Sequence, residues 1–215
     1  WNPEQIDVAA DECQSFALDN GAFSAWKLGN PVADWGQYYD WVKQWKNHPG
    51  FDFAIIPDVI DGSEADNDRL IHEWPLSNLI GVPVWHMHEP LSRLQDLIKA
   101  FQRVAIGSSG EYATIGNSKW WDRISEAMDM ACTDEGVPRA KLHGLRMLNP
   151  RIFGEIPFSS ADSTNIARNI KLDQKWKGTY VPASKEIRSL VLADRIEQQN
   201  SAPYWVKRYR QVRFN

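Results

Sequence analysis

Three apolar runs in this chain each lead into an aspartate. Phe16-Ala17-Leu18 is followed by Asp19-Asn20-Gly21, Phe53-Ala54-Ile55-Ile56 by Pro57-Asp58, and Phe158 leads through Ser159-Ser160-Ala161 to Asp162. Parallel α/β sheets and barrels keep their chemistry at the carboxyl ends of strands, and two carboxylates facing one pocket can divide acid and base duties because each pushes the other's pKa. Any one of these aspartates alone reads as turn chemistry, since Asp and Asn before glycine favour turns. The three together form a candidate catalytic constellation. His86 and His88 offer different chemistry: at i and i+2 they share one face of a strand, and with His143 and Asp162 they match the ligand types of a metal-dependent amidohydrolase. That class normally carries the pair on its first strand, and here two strands precede it. A structural role for at least one of these histidines is the plainer expectation.

The elements that must position these groups alternate along the chain. Strand-like runs at 15–19, 53–57, 83–87, 103–106, 141–147 and 157–161 are separated by amphipathic stretches at 32–47, 63–74, 90–100, 119–132 and 150–155. This is the pattern of repeated βα units and a parallel sheet. Acidic ends spread over several strands favour an α/β fold of the (β/α)8 TIM-like barrel type over a doubly wound sheet, which gathers its site at one switch point. The strands not accounted for would precede Trp1 or hide in irregular stretches, leaving the barrel incomplete or trimmed at the N-terminus. Residues 1–169 carry the barrel pattern, and residues 170–215 read as a basic C-terminal helix and tail, with Ile187, Leu190, Val191 and Ile196 as the apolar positions of a helix over 184–199. Trp35, Tyr38, Trp41, Val42 and Trp45 fall on one helical face and are expected in the core. Asp61, Asp66 and Asp68 read as capping and dipole-matching charges.

Composition bounds the partners. A chain of 215 residues with 43% hydrophobic content can bury one core without staples. Cys13 and Cys132 are too few and too far apart for a structural zinc site, which points to a reducing, cytoplasmic setting. No apolar run reaches the roughly 18 residues a membrane span needs, and no secretory signal opens the chain, so no membrane partner is expected. The net charge of -4 hides an asymmetry: residues 166–215 hold 11 Lys/Arg against 4 Asp/Glu, leaving an acidic body. Lys207, Arg208, Arg210 and Arg213 are interleaved with Tyr209 and Phe214, a composition suited to phosphate contact and base stacking, against the plainer alternative of a solvated end.

The stretch Leu18-Asp19-Asn20-Gly21-Ala22-Phe23 resembles the Leu-Asp-Ser-Gly-Gly-Phe motif of tRNA-guanine transglycosylases. It is closer to the Asp-Ser-Gly-Ala-Phe form of their DNA-directed relatives, which install 7-deazaguanines in phage and bacterial DNA. Further matches follow in order: Pro57-Asp58, Trp85-His86-Met87-His88 where the family often has Val-Gln-Gly, Ile106-Gly107-Ser108-Ser109-Gly110, and Ser160-Ala161-Asp162-Ser163. The resemblance implies a (β/α)8 barrel that exchanges a guanine-type base in nucleic acid through a covalent aspartyl-glycosyl intermediate. By it, Asp162 is the nucleophile, Asp19 the general acid/base and Asp58 the reader of the base edge. Gly107, Ser108, His86, His88 and Phe23 are further substrate contacts. No cofactor and no metal are implied. The family's three-Cys, one-His zinc cluster has no counterpart after Cys132, which favours DNA over tRNA as the partner, with a 7-deazaguanine base as co-substrate. The implied location is the cytoplasm of a bacterium or phage-infected host, and a homodimer is among the assemblies allowed. The Gly107-Ser108-Ser109-Gly110 loop also suits a phosphate cradle.

Overall fold

In a computed structural model, which describes residues 3–164, 166, 170 and 181–207, helix α1 (Ile6–Glu12) leads into strand β1 (Phe16–Leu18). The strand stops at Asn20-Gly21, where Gly21 takes a φ of 77° that glycine adopts without steric cost, and helix α2 (Ala22–Lys27) starts at once. The βα rhythm then continues through α3 (Gly36–Trp45), β2 (Phe51–Ile55), α4 (Glu64–Glu73), β3 (Gly81–Val82) and β4 (Val84–His86). It proceeds through α5 (Leu91–Ala100), β5 (Arg103–Gly107), α6 (Ser118–Ala131), β6 (Lys141–Gly144), α7 (Pro150–Phe153), β7 (Ser160–Ala161) and α8 (Lys185–Glu197).

All pairings are parallel, in the orders β1-β2-β3 and β4-β5-β6-β7. Only Pro83 separates β3 from β4. It has no N–H to donate, but its carbonyl still accepts from the Ala105 N–H at 2.9 Å. One length of chain, 81–86, thus pairs with β2 through its first half and with β5 through its second; the strand expected over 83–87 is β4, and β3 lies just before it. Strand order follows sequence order, without the reversal of a doubly wound sheet. The sheet is strongly curled. Phe53 on β2 meets the His143 ring on β6 edge-on at 5.2 Å between centroids, although a flat sheet would set strands three spacings apart at about 14 Å. Phe53, Ile55, Val82, Val84 and Ala105 form the buried cluster on this inner face. A larger cluster packs the helices outside. Among the described residues the sheets are open at β1 and β7 and hold seven strands, not a closed ring of eight.

Several local expectations are refined. Tyr38 and Val42 on α3 are fully buried, with Trp35 buried and Trp41 and Trp45 packed against the core. Asp66 closes a capping box with Ser63, but Asp68 pairs with Arg93 instead of the helix dipole. The strand expected over 141–147 ends at Gly144, because Arg146 turns to a φ of 63°. On α8 the expected apolar face holds only in part: Val191 and Ile196 are half-buried and Ile196 packs against the core, but Ile187 and Leu190 are exposed, whereas Arg188 is buried and donates to the carbonyls of Ile170, Pro182 and Ala183. Beyond α8, Trp205 returns to the core, its backbone N–H on the Gly136 carbonyl at 2.7 Å and its Nε1 on Asp129 at 2.6 Å. No helix among the described residues is long and apolar enough to cross a membrane.

Candidate active site

The carboxyl ends of strands from both sheets open on one cavity of about 330 Å³, lined by Asp19, Asp58 and Asp162 together with His86, Gly107, Ser108 and Phe23. Asp19 directly follows β1, Asp58 lies three residues past β2, and Asp162 directly follows β7. Curling of the sheet joins residues that are 143 positions apart in the chain, the separation of Asp19 and Asp162.

Asp19 reaches solvent through the cavity mouth yet is closely surrounded by protein. That enclosure raises its pKa above the ordinary carboxylate range, and repulsion from Asp162 and Asp58 adds to the rise, while a hydrogen bond from the Gly21 N–H opposes it. The turn chemistry of the Asp-Asn-Gly sequence belongs to its neighbours. Asn20, buried, accepts from the Ala22 N–H at 2.7 Å and donates at 3.1 Å to both the Ile56 carbonyl and Asp58 Oδ1. The Tyr38 hydroxyl, also buried, lies 2.7 Å from the Ile55 carbonyl and 3.2 Å from that of Leu18, so the ends of β1 and β2 are stitched together twice. Asp58 is thereby fixed from one side.

From the other side, His86 Nε2 lies 3.1 Å from Asp58 Oδ2, close enough for an ion pair but off the line of a hydrogen bond. The His86 N–H donates to the buried Glu89 at 2.9 Å, and Glu89 is held in turn by Asn67 at 3.2 Å and Arg93 at 3.1 Å. Asn67 Oδ1 accepts from the Val59 N–H at 2.7 Å, tying this layer back to the Asp58 loop. At Gly107 a Cβ would stand 3.2 Å from His86 Nδ1 and 3.3 Å from Val84 Cγ1, so glycine keeps the floor open. Ser108 Oγ accepts from Trp120 Nε1 at 2.8 Å, which fixes the loop after β5.

Asp162 is half exposed, and its Oδ1 accepts from the Arg146 N–H at 2.7 Å. His143 Nε2 lies 3.7 Å from the same oxygen, while its Nδ1 sits 2.9 Å from Ser160 Oγ. His88 is not part of the cavity wall: it is exposed, stacks on His86 at 5.7 Å, and hydrogen bonds with Ser109 at 2.7 Å. Among the described residues no three or more His, Cys, Asp or Glu side chains gather as a metal-holding group. Lys207 is exposed, 3.4 Å from Asp134, and Arg208, Arg210 and Arg213 lie outside the described residues.

Comparisons with protein-family models, with curated proteins and with solved structures find no match. Function must therefore be read from the site. Sequence reasoning passed over Asn20, Asn67, Glu89 and Arg146. Only Glu89 left a usable trace, a carboxylate at a strand end with an arginine four residues on. The arrangement combines an acid whose pKa is raised, an accessible carboxylate steadied by a backbone N–H, and a third carboxylate fixed by an amide beside an imidazole. These are the parts needed to break a bond at a carbon and manage the proton of the leaving group.

Proposed function

We propose that this chain is a transglycosylase that exchanges a guanine-type base of nucleic acid, DNA rather than tRNA, for a 7-deazaguanine base, on a barrel of (β/α)8 type. The observation that carries this reading is the meeting of Asp19, Asp58 and Asp162 in one cavity with the Asp19 pKa raised. The curled sheet, wound in sequence order, supports the barrel. A cavity of about 330 Å³ falls near the lower end of the range for small-molecule sites, about 300–1,000 Å³, and suits one base with its sugar.

In the proposed reaction an Asp162 oxygen bonds to C1′ of the target nucleotide as the glycosidic C–N bond breaks. The electron pair leaves with the base, which takes a proton from Asp19. The incoming base then returns a proton to Asp19, its nitrogen attacks C1′, and Asp162 is released. Close enclosure by protein and two neighbouring carboxylates shift Asp19 toward its protonated form, the direction an acid requires. Asp58 accepts from the amino and imino edge of the base, and Asn20 holds it for that task.

The test is trapping. With guanine-containing oligonucleotide, the parent protein should give a covalent adduct on a denaturing gel, Asp162→Ala none, and Asp19→Asn reduced turnover with little change in binding. Asp162→Ala exchanging base at the parent rate would remove the nucleophile and the reading with it.

A further inference from the structure

The cavity's lining carries both signs of charge. Lys27 and Arg146 line the same cavity as the three aspartates, and both are exposed. Phe23 and Lys27 are i and i+4 on α2 and share a helix face, while the Arg146 guanidinium lies 4.6 Å from the Phe23 ring centroid. One cation thus lies against the Phe23 ring and the other follows it one helical turn on, both in the cavity lining. Among the described residues neither cation forms an ion pair with a carboxylate.

A second observation concerns the Arg146 backbone. Its φ of 63° is a conformation that glycine takes freely and an arginine does not. The hydrogen bond to Asp162 uses only the backbone N–H, which glycine would supply equally well. A bulky residue held at such a position points to a use for its side chain.

We propose that Lys27 and Arg146 form a clamp for a phosphoryl group of the nucleotide whose base enters the cavity, an inference that rests on the transglycosylase reading for the base. The three carboxylates of the lining can accept N–H groups of a base but repel a phosphate. The planar guanidinium and the ammonium supply the charge-assisted donors that a phosphate needs, and do so in the same lining. The clamp gives an acidic body its own means of holding a polyanion.

Titration calorimetry on the whole chain at low salt tests it with 2′-deoxyguanosine, its 5′-monophosphate, and a trinucleotide with central guanine. The parent should bind a phosphorylated ligand about tenfold more tightly than the nucleoside, and Lys27→Ala or Arg146→Ala should each remove most of that preference with nucleoside affinity kept within about twofold. Preference for the monophosphate assigns the clamp to the target's own phosphate, and preference for the trinucleotide alone assigns it to a neighbouring one. Arg146→Gly keeps the N–H to Asp162 and relieves the strained φ, so it should lose the preference without losing thermal stability. Equal affinity of the parent for all three ligands overturns the clamp, as does a phosphate preference that survives in Arg146→Gly, or variants that lose nucleoside and nucleotide together. Base exchange without the preference sinks the clamp alone, whereas the preference without base exchange sinks the transglycosylase reading and leaves the clamp standing.

Discussion

Asn20→Ala removes three hydrogen bonds from a buried position: the acceptor for the Ala22 N–H at 2.7 Å and the donors to Ile56 and Asp58 at 3.1 Å. Each neutral bond is worth about 1 kcal/mol net, and the charge-assisted one to Asp58 about 1.5–3 kcal/mol when no water can replace it. Asp58 faces the cavity, where water can enter, so the lower end applies and the loss sums to roughly 3.5 kcal/mol. That is a large share of the ~5–15 kcal/mol that holds a typical domain. Urea unfolding followed by tryptophan fluorescence should show the midpoint falling with the slope unchanged. Asn20→Asp sharpens the test, because it keeps the shape but sets a second carboxylate against Asp58. That pair's folded-state pKa would be raised, so the deficit against the parent should be small below about pH 4 and grow as pH rises through the raised value. An Asn20→Ala loss below about 1 kcal/mol, or an Asn20→Asp deficit independent of pH, would refute the view that this amide holds the ends of β1 and β2 together.

The raised pKa of Asp19 means that the folded state binds its proton more tightly than the unfolded chain does, so its charge costs stability above the folded pKa. Asp19→Asn should therefore raise the thermal midpoint at neutral pH. The gain should disappear as pH falls through the raised folded value toward the ordinary ~3.9, and a midpoint unchanged at neutral pH counts against the enclosure of this carboxylate. Truncation after Lys207 retains Trp205 with its bonds to Gly136 and Asp129, and so tests the basic end without unseating the core. If that end holds phosphates, nucleic-acid affinity should fall across all sequences and its salt dependence should flatten, as filter binding at two salt concentrations would show. Unchanged binding at both salts would make it a solvated end.

Much of the scaffold was legible because its signals are local. Alternating apolar runs and amphipathic stretches located the six strand segments and the principal helices, since burial on one face of a strand or helix leaves its period in the sequence. Helix α2 left no such trace, its six residues being less than two turns, and it was hidden within what read as a turn. Two of the apolar positions on α8, Ile187 and Leu190, misled for a related reason. Periodicity shows which face could be buried, and the burial of Arg188 there depends on carbonyls supplied by residues before the helix.

The sequence by itself determined the types and order of the acidic strand ends, because Asp19, Asp58 and Asp162 each come at or just past the end of a strand-like run. Only the tertiary structure decided that the three face one cavity, because that depends on the curl of the sheet, which no single strand encodes. It also decided which polar groups support them. Asn20 reads as a turn residue until its amide is seen to span 38 positions to Asp58, and Arg146 reads as a surface cation until its backbone is found at a φ of 63° beneath Asp162. Local pattern fixes what each element is made of, whereas the meeting of distant strand ends is set by packing, where long-range contacts outweigh local preference.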